Sequence, residues 1–122
     1  MVKDINLNHT WIKSFPAAIT VCDIHGIILE MNDKAIDSFK EDGGEKLIGT
    51  NLLNCHPEPA RSQLEEMLRT QRHNSYTIEK RGVKKLIYQT PWYDNGRYSG
   101  FVELSLPLPF VMPHFIRADE KG

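Results

Sequence analysis

The stretch ITVCDIHGIILEMNDKAIDSF, residues 19–39, limits the choice of fold more than any other part of the chain. An apolar segment, an Asp-x-x-Gly turn and a second apolar segment run directly into an Asn-Asp helix start. Strands joined this tightly pair antiparallel, because a parallel pair needs a crossover of about a dozen residues or more. Asp23 suits the first position of a type I turn and Gly26 the fourth. The chain therefore opens with a hairpin that feeds straight into helices.

Around this hairpin the pattern is equally readable. Residues 1–7 are polar and expected to be loose, and residues 8–15 suit a short helix with Trp11, Ile12 and Phe15 on one face, stopped by Pro16. Asn32 or Asp33 caps the next helix, whose Ala35, Ile36 and Phe39 form an apolar stripe that Gly43-Gly44 breaks. A single turn over residues 45–48 follows, ended by Gly49. The best helix covers residues 58–71, with Pro59 in its first turn, Ala60, Leu64, Met67 and Leu68 on one face, and Glu65 paired with Arg69 on the exposed side. Residues 74–80, 84–92 and 97–106 are rich in β-branched and aromatic side chains and read as strands. Arg81-Gly82-Val83 and Asp94-Asn95-Gly96 separate them, and Asn-Gly is a strong hairpin signal. Pro91 belongs near a strand end or an edge, since it cannot donate to a ladder. Two strands, three or four helices and three strands close most simply as one antiparallel sheet with the helices on one face.

Composition narrows the class. At 122 residues the chain makes one domain with a core of its own, and 25% charged with 40% apolar residues is ordinary for a globular protein. The net charge of -1, with Lys and Arg scattered, argues against a nucleic-acid partner. The densest basic run (Lys80, Arg81, Lys84, Lys85) surrounds a hairpin turn and reads as a solvated turn. No apolar run reaches the length of a membrane span, and the N-terminus lacks the apolar core of a signal peptide. Cys22 and Cys55 make no disulfide framework, so the expected location is the cytoplasm.

With the order of elements in hand, four segments resemble a PAS domain. VCDIHGIILEMN is similar to that family's D-x-x-G-x-I-x-x-x-N opening, and NDKAIDSF to the helix after it. EKLIGTNLLN resembles its G-x-x-L turn, and PWYDNGRYSGFVEL its closing P-x-x-x-x-G-x-x-x-G strands. The resemblance covers residues 10–107, leaving 108–122 as a C-terminal extension of a single domain spanning 1–122. NCHPEPARSQLEEML and LPLPFVMPHFIR are similar to a bacterial subgroup found alone or attached to hemerythrin-like regulatory modules. The resemblance implies an α+β fold, a five-stranded antiparallel sheet in the order 2-1-5-4-3 with helices packed on one face. It also implies a pocket between the sheet and the middle helices for haem, a flavin or a small metabolite, and dimerisation through the sheet or an N-terminal helix. One departure is instructive. Pro107, Pro109 and Pro113 follow where signalling PAS domains continue into a helical linker, so output is expected to pass to an effector protein in trans.

Cys55-His56-Pro57, in the loop before the long helix, is the most suggestive local cluster. Either His56 bonds a ligand or ligates haem iron, or His56 or Cys55 caps the following helix and the cysteine is a small apolar group. The five histidines lack paired zinc spacings, so no metal is expected unless His56 holds haem. The N-C-R-F-L-Q run of flavin photosensors is absent, which argues against flavin. No nucleophile elbow, phosphate loop or paired carboxylate motif is present, and the chain is not expected to be an enzyme. Glu30 and Glu103 lie in strands, facing either water or the interior.

Alternate residues of the last strands are the expected pocket walls: Tyr76 with Ile78; Tyr88, Thr90 and Trp92; Gly100, Val102 and Leu104. Tyr88, Gln89 and Thr90 are candidates to orient a ligand, and Gly100 leaves room for a ligand or for backbone. A register shift of one residue would move each name to the other face. The apolar segment 110–116 is expected to pack on its own sheet or helix, or to cover a partner's, with Phe101, Trp11 and Phe15 as neighbours; a homodimer follows. Three functions fit these readings: a small-ligand sensor acting through protein contacts, a ligand-free dimerisation module, and a haem-based gas or redox sensor using His56.

Overall fold

In the computed structural model, residues 9–119 are described. The expectation of a loose segment at residues 1–7 lies outside them. Helix α1 (Thr10–Lys13) precedes strands β1 (Ala18–Cys22) and β2 (Ile28–Met31), then helix α2 (Asp33–Ser38). Three short 3-10 turns, Lys40–Asp42, Gly44–Leu47 and Leu52–Cys55, lead to helix α3 (Ala60–Thr70). Strands β3 (Asn74–Lys80), β4 (Val83–Asp94) and β5 (Arg97–Leu108) complete the sheet. Its order is β2-β1-β5-β4-β3, with each pair antiparallel.

The opening turn forms as its residues dictate. Asp23 Oδ1 accepts from the backbone N–H groups of His25 (2.8 Å) and Ile27 (2.9 Å), and Gly26 N–H donates to the Asp23 carbonyl at 3.0 Å. Asn32 then caps α2. It is only 4% exposed; its Oδ1 accepts from Ile19 and Ala35 N–H, while its Nδ2 donates to the carbonyls of Ile12, Phe15 and Ala17. One side chain thus joins α1, β1 and α2.

The β3–β4 turn holds Arg81 and Gly82, and the β4–β5 turn Asn95 and Gly96, all at positive φ, as tight two-residue hairpins require. Pro91 lies within β4, paired with Phe101 of β5. This is tolerated because β3 pairs with β4 only as far as Gln89, leaving Pro91 at an edge on that side. On α3, Glu65 sits 3.9 Å from Arg61 instead of pairing with Arg69, and Arg72 bonds Glu66 at 2.7 Å.

The core is in two small clusters. Cys22, Met67, Leu68 and Phe101 form one, and Ile28, Met31 and Ala35 the other; Leu52 packs against both. Phe101, 5% exposed, belongs to the interior and not to the outer sheet face. The C-terminal segment does not pack back on its own chain. Val111 and Ile116 are 88% and 91% exposed, with Phe110, Met112 and Phe115 also in the open.

Candidate functional site

Between the two core clusters lies a cavity of about 360 Å³. Leu64 and Met67 of α3 form one wall, and Phe39, Asp42 and Leu47 a second. The sheet contributes Thr20, Cys22, Ile28, Met31, Gln89, Phe101, Val102 and Glu103, and Leu52, Cys55 and His56 close the side. The volume is in the range of about 300–1,000 Å³ typical of small-molecule sites, and the walls are mainly apolar.

Aromatic hydrogen bonds hold the wall of α3 in place. Tyr98 Oη donates to the Leu68 carbonyl at 2.7 Å and its ring meets Phe101 edge-on, with centroids 6.3 Å apart. Tyr93 Oη donates to Gln71 Oε1 at 3.0 Å, just beyond the helix end. At the other end, Glu58 accepts from Ser62 N–H at 3.0 Å, so neither Cys55 nor His56 is the cap of α3.

The floor carries a polar row. Register places Thr20, Glu103, Gln89 and Asn74 side by side across β1, β5, β4 and β3. Asn74 Nδ2 donates to Gln89 Oε1 at 2.9 Å, and Gln89 Nε2 donates to Glu103 Oε2 at 2.8 Å. Cys22, near this row, is held protonated: burial pushes its thiol up to about 11.

Of the residues expected at the site, Cys55, His56 and Val102 border the cavity, and so does Gln89. Val102 alternates to the opposite face, so its main chain is what borders the space. Tyr88, Thr90 and Trp92 belong to the outer face, in register with Leu104, Val102 and Gly100. Tyr76 shares the cavity face but stands on β3 beyond the lining, 46% exposed; burial, then Glu103, raises its phenol above the ordinary value. Gly100 accommodates backbone and not a ligand. A Cβ there would collide with the Cys22 carbonyl oxygen, to which Trp92 Nε1 donates at 3.0 Å.

On β5 the reason for the exchanged faces is a bulge. Tyr93 pairs with Tyr98, but Trp92 pairs with Gly100, so Ser99 is an extra residue on β5. Counting by twos from Tyr98 selects Gly100, Val102 and Leu104. The extra residue makes the true row Phe101, Glu103 and Ser105. The cavity-lining acid Glu103 was among the strand carboxylates visible in the sequence, whereas Asp42 and Thr20 carry no local motif.

No protein-family model matches the chain, and no curated protein matches it. Among solved structures, the PAS domain of BvgS from Bordetella pertussis matches with a TM-score of 0.55 and 24% identity, over 80% of this chain and 81% of that one. The Aer2 receptor from Vibrio cholerae, described as a dual PAS-heme oxygen sensor, matches with a TM-score of 0.56 and 18% identity, over 76% and 95%. The fold is the PAS fold. A VqmA dimer from Vibrio cholerae matches over 96% of this chain with a TM-score of 0.62 and 15% identity, and this chain spans 59% of that one. Strand order and helix placement in this PAS fold are those anticipated from sequence. The narrower likeness to PAS modules attached to hemerythrin-like domains finds no support in these neighbours.

Haem can be tested against the lining. His56 Nδ1 bonds the Leu52 carbonyl at 2.6 Å, which leaves Nε2 for a ligand. The charged side chains among the lining residues are, however, Asp42 and Glu103, with no Lys or Arg to receive the propionates. The residues present do not fit haem. Among the described residues, no helix is long and apolar enough to cross a membrane, and no cluster of three His, Cys, Asp or Glu could hold a metal ion.

Proposed function

We propose that this PAS domain is a non-catalytic sensory module that binds a small molecule in the cavity between sheet and helices. The observation that carries the reading is the half-buried polar row Asn74–Gln89–Glu103, whose Gln89 and Glu103 line a mainly apolar cavity. A wholly structural interior would place apolar groups there, since each buried polar group must be satisfied to avoid a penalty of about 1–3 kcal/mol. Neighbouring structures described as an oxygen-sensing receptor and as a sensor histidine kinase support a signalling role.

Output passes through protein contacts. The outer sheet face carries Ile19, Val21, Leu86, Tyr88, Leu104 and Leu106, and the exposed C-terminal segment offers Phe110, Met112 and Phe115 for covering such a face on a second copy. The module acts as a cytoplasmic homodimer and contacts an effector in trans.

Native mass spectrometry of freshly purified protein, with an absorbance spectrum on the same sample, tests this. A stoichiometric added mass without a Soret band is the expected result. A dimer with no added mass, and no rise in melting temperature across a metabolite panel, replaces it with a ligand-free interaction module. A Soret band removed by His56→Ala restores haem.

A further inference from the structure

The polar row has a direction, and the direction selects a ligand. Glu103 is a carboxylate, so the Gln89 group that meets its Oε2 at 2.8 Å must be the amide N–H. That fixes the Gln89 oxygen toward β3, where Asn74 must in turn donate to it at 2.9 Å. Each group in the row is a donor to the next, and the row terminates on an acceptor facing the cavity. Among the described residues, no donor is placed on Glu103 Oε1. Thr20 stands beside it in register, a small hydroxyl able to accept as well as donate.

The charges around the cavity agree with this direction. Asp42 and Glu103 line it, and no Lys or Arg does. The remaining walls are chiefly apolar: Ile28, Met31, Phe39, Leu64, Met67 and Phe101. A carboxylate ligand would meet the like charge of Asp42 and Glu103 and no Lys or Arg among the lining side chains. A neutral apolar ligand would leave the Glu103 oxygen unpaired on being buried, at a cost larger than for a neutral group. A cationic nitrogen bearing N–H groups satisfies it with a charge-assisted hydrogen bond.

We infer that the cavity takes a small organic cation, a protonated amine or amidine on an apolar body, anchored by the Glu103 carboxylate with Asp42 reinforcing the field. The inference rests on the proposed ligand-binding function of the cavity. It adds the class of ligand, and makes anions, haem propionates included, the rejected class.

The test uses matched probes. Benzyl, indolyl-ethyl and naphthylmethyl bodies, each bearing an ammonium, a hydroxyl or a carboxylate, are titrated calorimetrically into the full chain. For at least one body, the ammonium is expected to bind ten-fold or more tighter than the alcohol, with no binding by the carboxylate. Glu103→Gln keeps an acceptor for Gln89, so the fold is retained, and it should abolish the preference for ammonium while sparing the alcohol. Leu64→Trp, which fills the cavity, should remove binding of every probe. Alcohols or carboxylates that bind as well as the ammonium, with no change in Glu103→Gln, overturn the ligand class and leave the cavity reading intact. Failure of all nine probes overturns both.

Discussion

On the helix side of the sheet, the row Thr20, Glu103, Gln89 and Asn74 is polar from strand to strand, whereas one residue along, on the other face, Ile19, Leu104 and Tyr88 make an apolar row. Antiparallel sheets with one covered face ordinarily show the reverse, apolar inward and polar outward. The inner side chains are therefore chosen for more than filling space, and the outer ones for more than meeting water. The proposed ligand accounts for the first choice and the proposed protein partner for the second. The two faces teach different lessons about the same strands.

The comparison breaks most severely at Gly100, where a side chain added in the outer row would meet main chain of the neighbouring strand. Gly100→Ala drives a Cβ into the Cys22 carbonyl oxygen at a φ of 143°, against main chain of the neighbouring strand. A loss of about 4 kcal/mol or more is expected, read as little or no cooperative unfolding transition in urea. On the inner face, Cys22 ties stability to pH. Its folded thiol titrates near 11 because of burial, above its unfolded value near 9, so the folded state holds the proton more tightly. Its contribution is complete below pH 9 and is lost as pH rises to about 11. That loss is about 2–3 kcal/mol at 1.36 kcal/mol per pH unit, and Cys22→Ala should flatten the curve.

Smaller effects sharpen the contrast. Gln89→Leu makes the inner row more apolar, yet strands Asn74 and Glu103 without their shared partner. We expect it to destabilise by about 1–3 kcal/mol in chemical denaturation, instead of stabilising as a core substitution would. Leu104→Glu, the matching change outside, should alter monomer stability by under about 1 kcal/mol. Light scattering should nonetheless show a dimer replaced by a monomer, and an unchanged oligomeric state would remove the outer face from the proposed interface.

Much of this architecture is legible in the residues. The Asp23–Gly26 turn, the Asn32 cap and the Asn95-Gly96 hairpin are encoded within a few positions each, because local hydrogen bonds decide them. Helix α3 declares its buried face through Leu64, Met67 and Leu68. The facing of β4 and β5 was not legible for two reasons. The bulge at Ser99 shifts β5 parity, and its one local signal, the neighbouring Gly100, reads equally as room for a close approach. On β4, the more apolar alternation (Leu86, Tyr88, Trp92) points outward, so the rule that apolar rows face the core selects the wrong set. Cys55 and His56 were placed through the resemblance, whose pocket takes one wall from the loop before the long helix, and they border the cavity here. Asp42 was missed because only tertiary folding brings the turn after α2 to the cavity.

Asn32 has a mechanical side as well. Its amide is a rivet through three layers of chain: its nitrogen grips the carbonyls of Ile12, Phe15 and Ala17, and its oxygen grips Ile19 and Ala35. A pull on Trp11 or Phe15 by a docked protein loads this side chain directly. The load passes to α2, which ends at Phe39, and the following 3-10 turn carries Asp42; both residues line the cavity. Force applied outside the sheet thus has a stiff route to the cavity wall, and the ligand proposed for that cavity would have the same route outward.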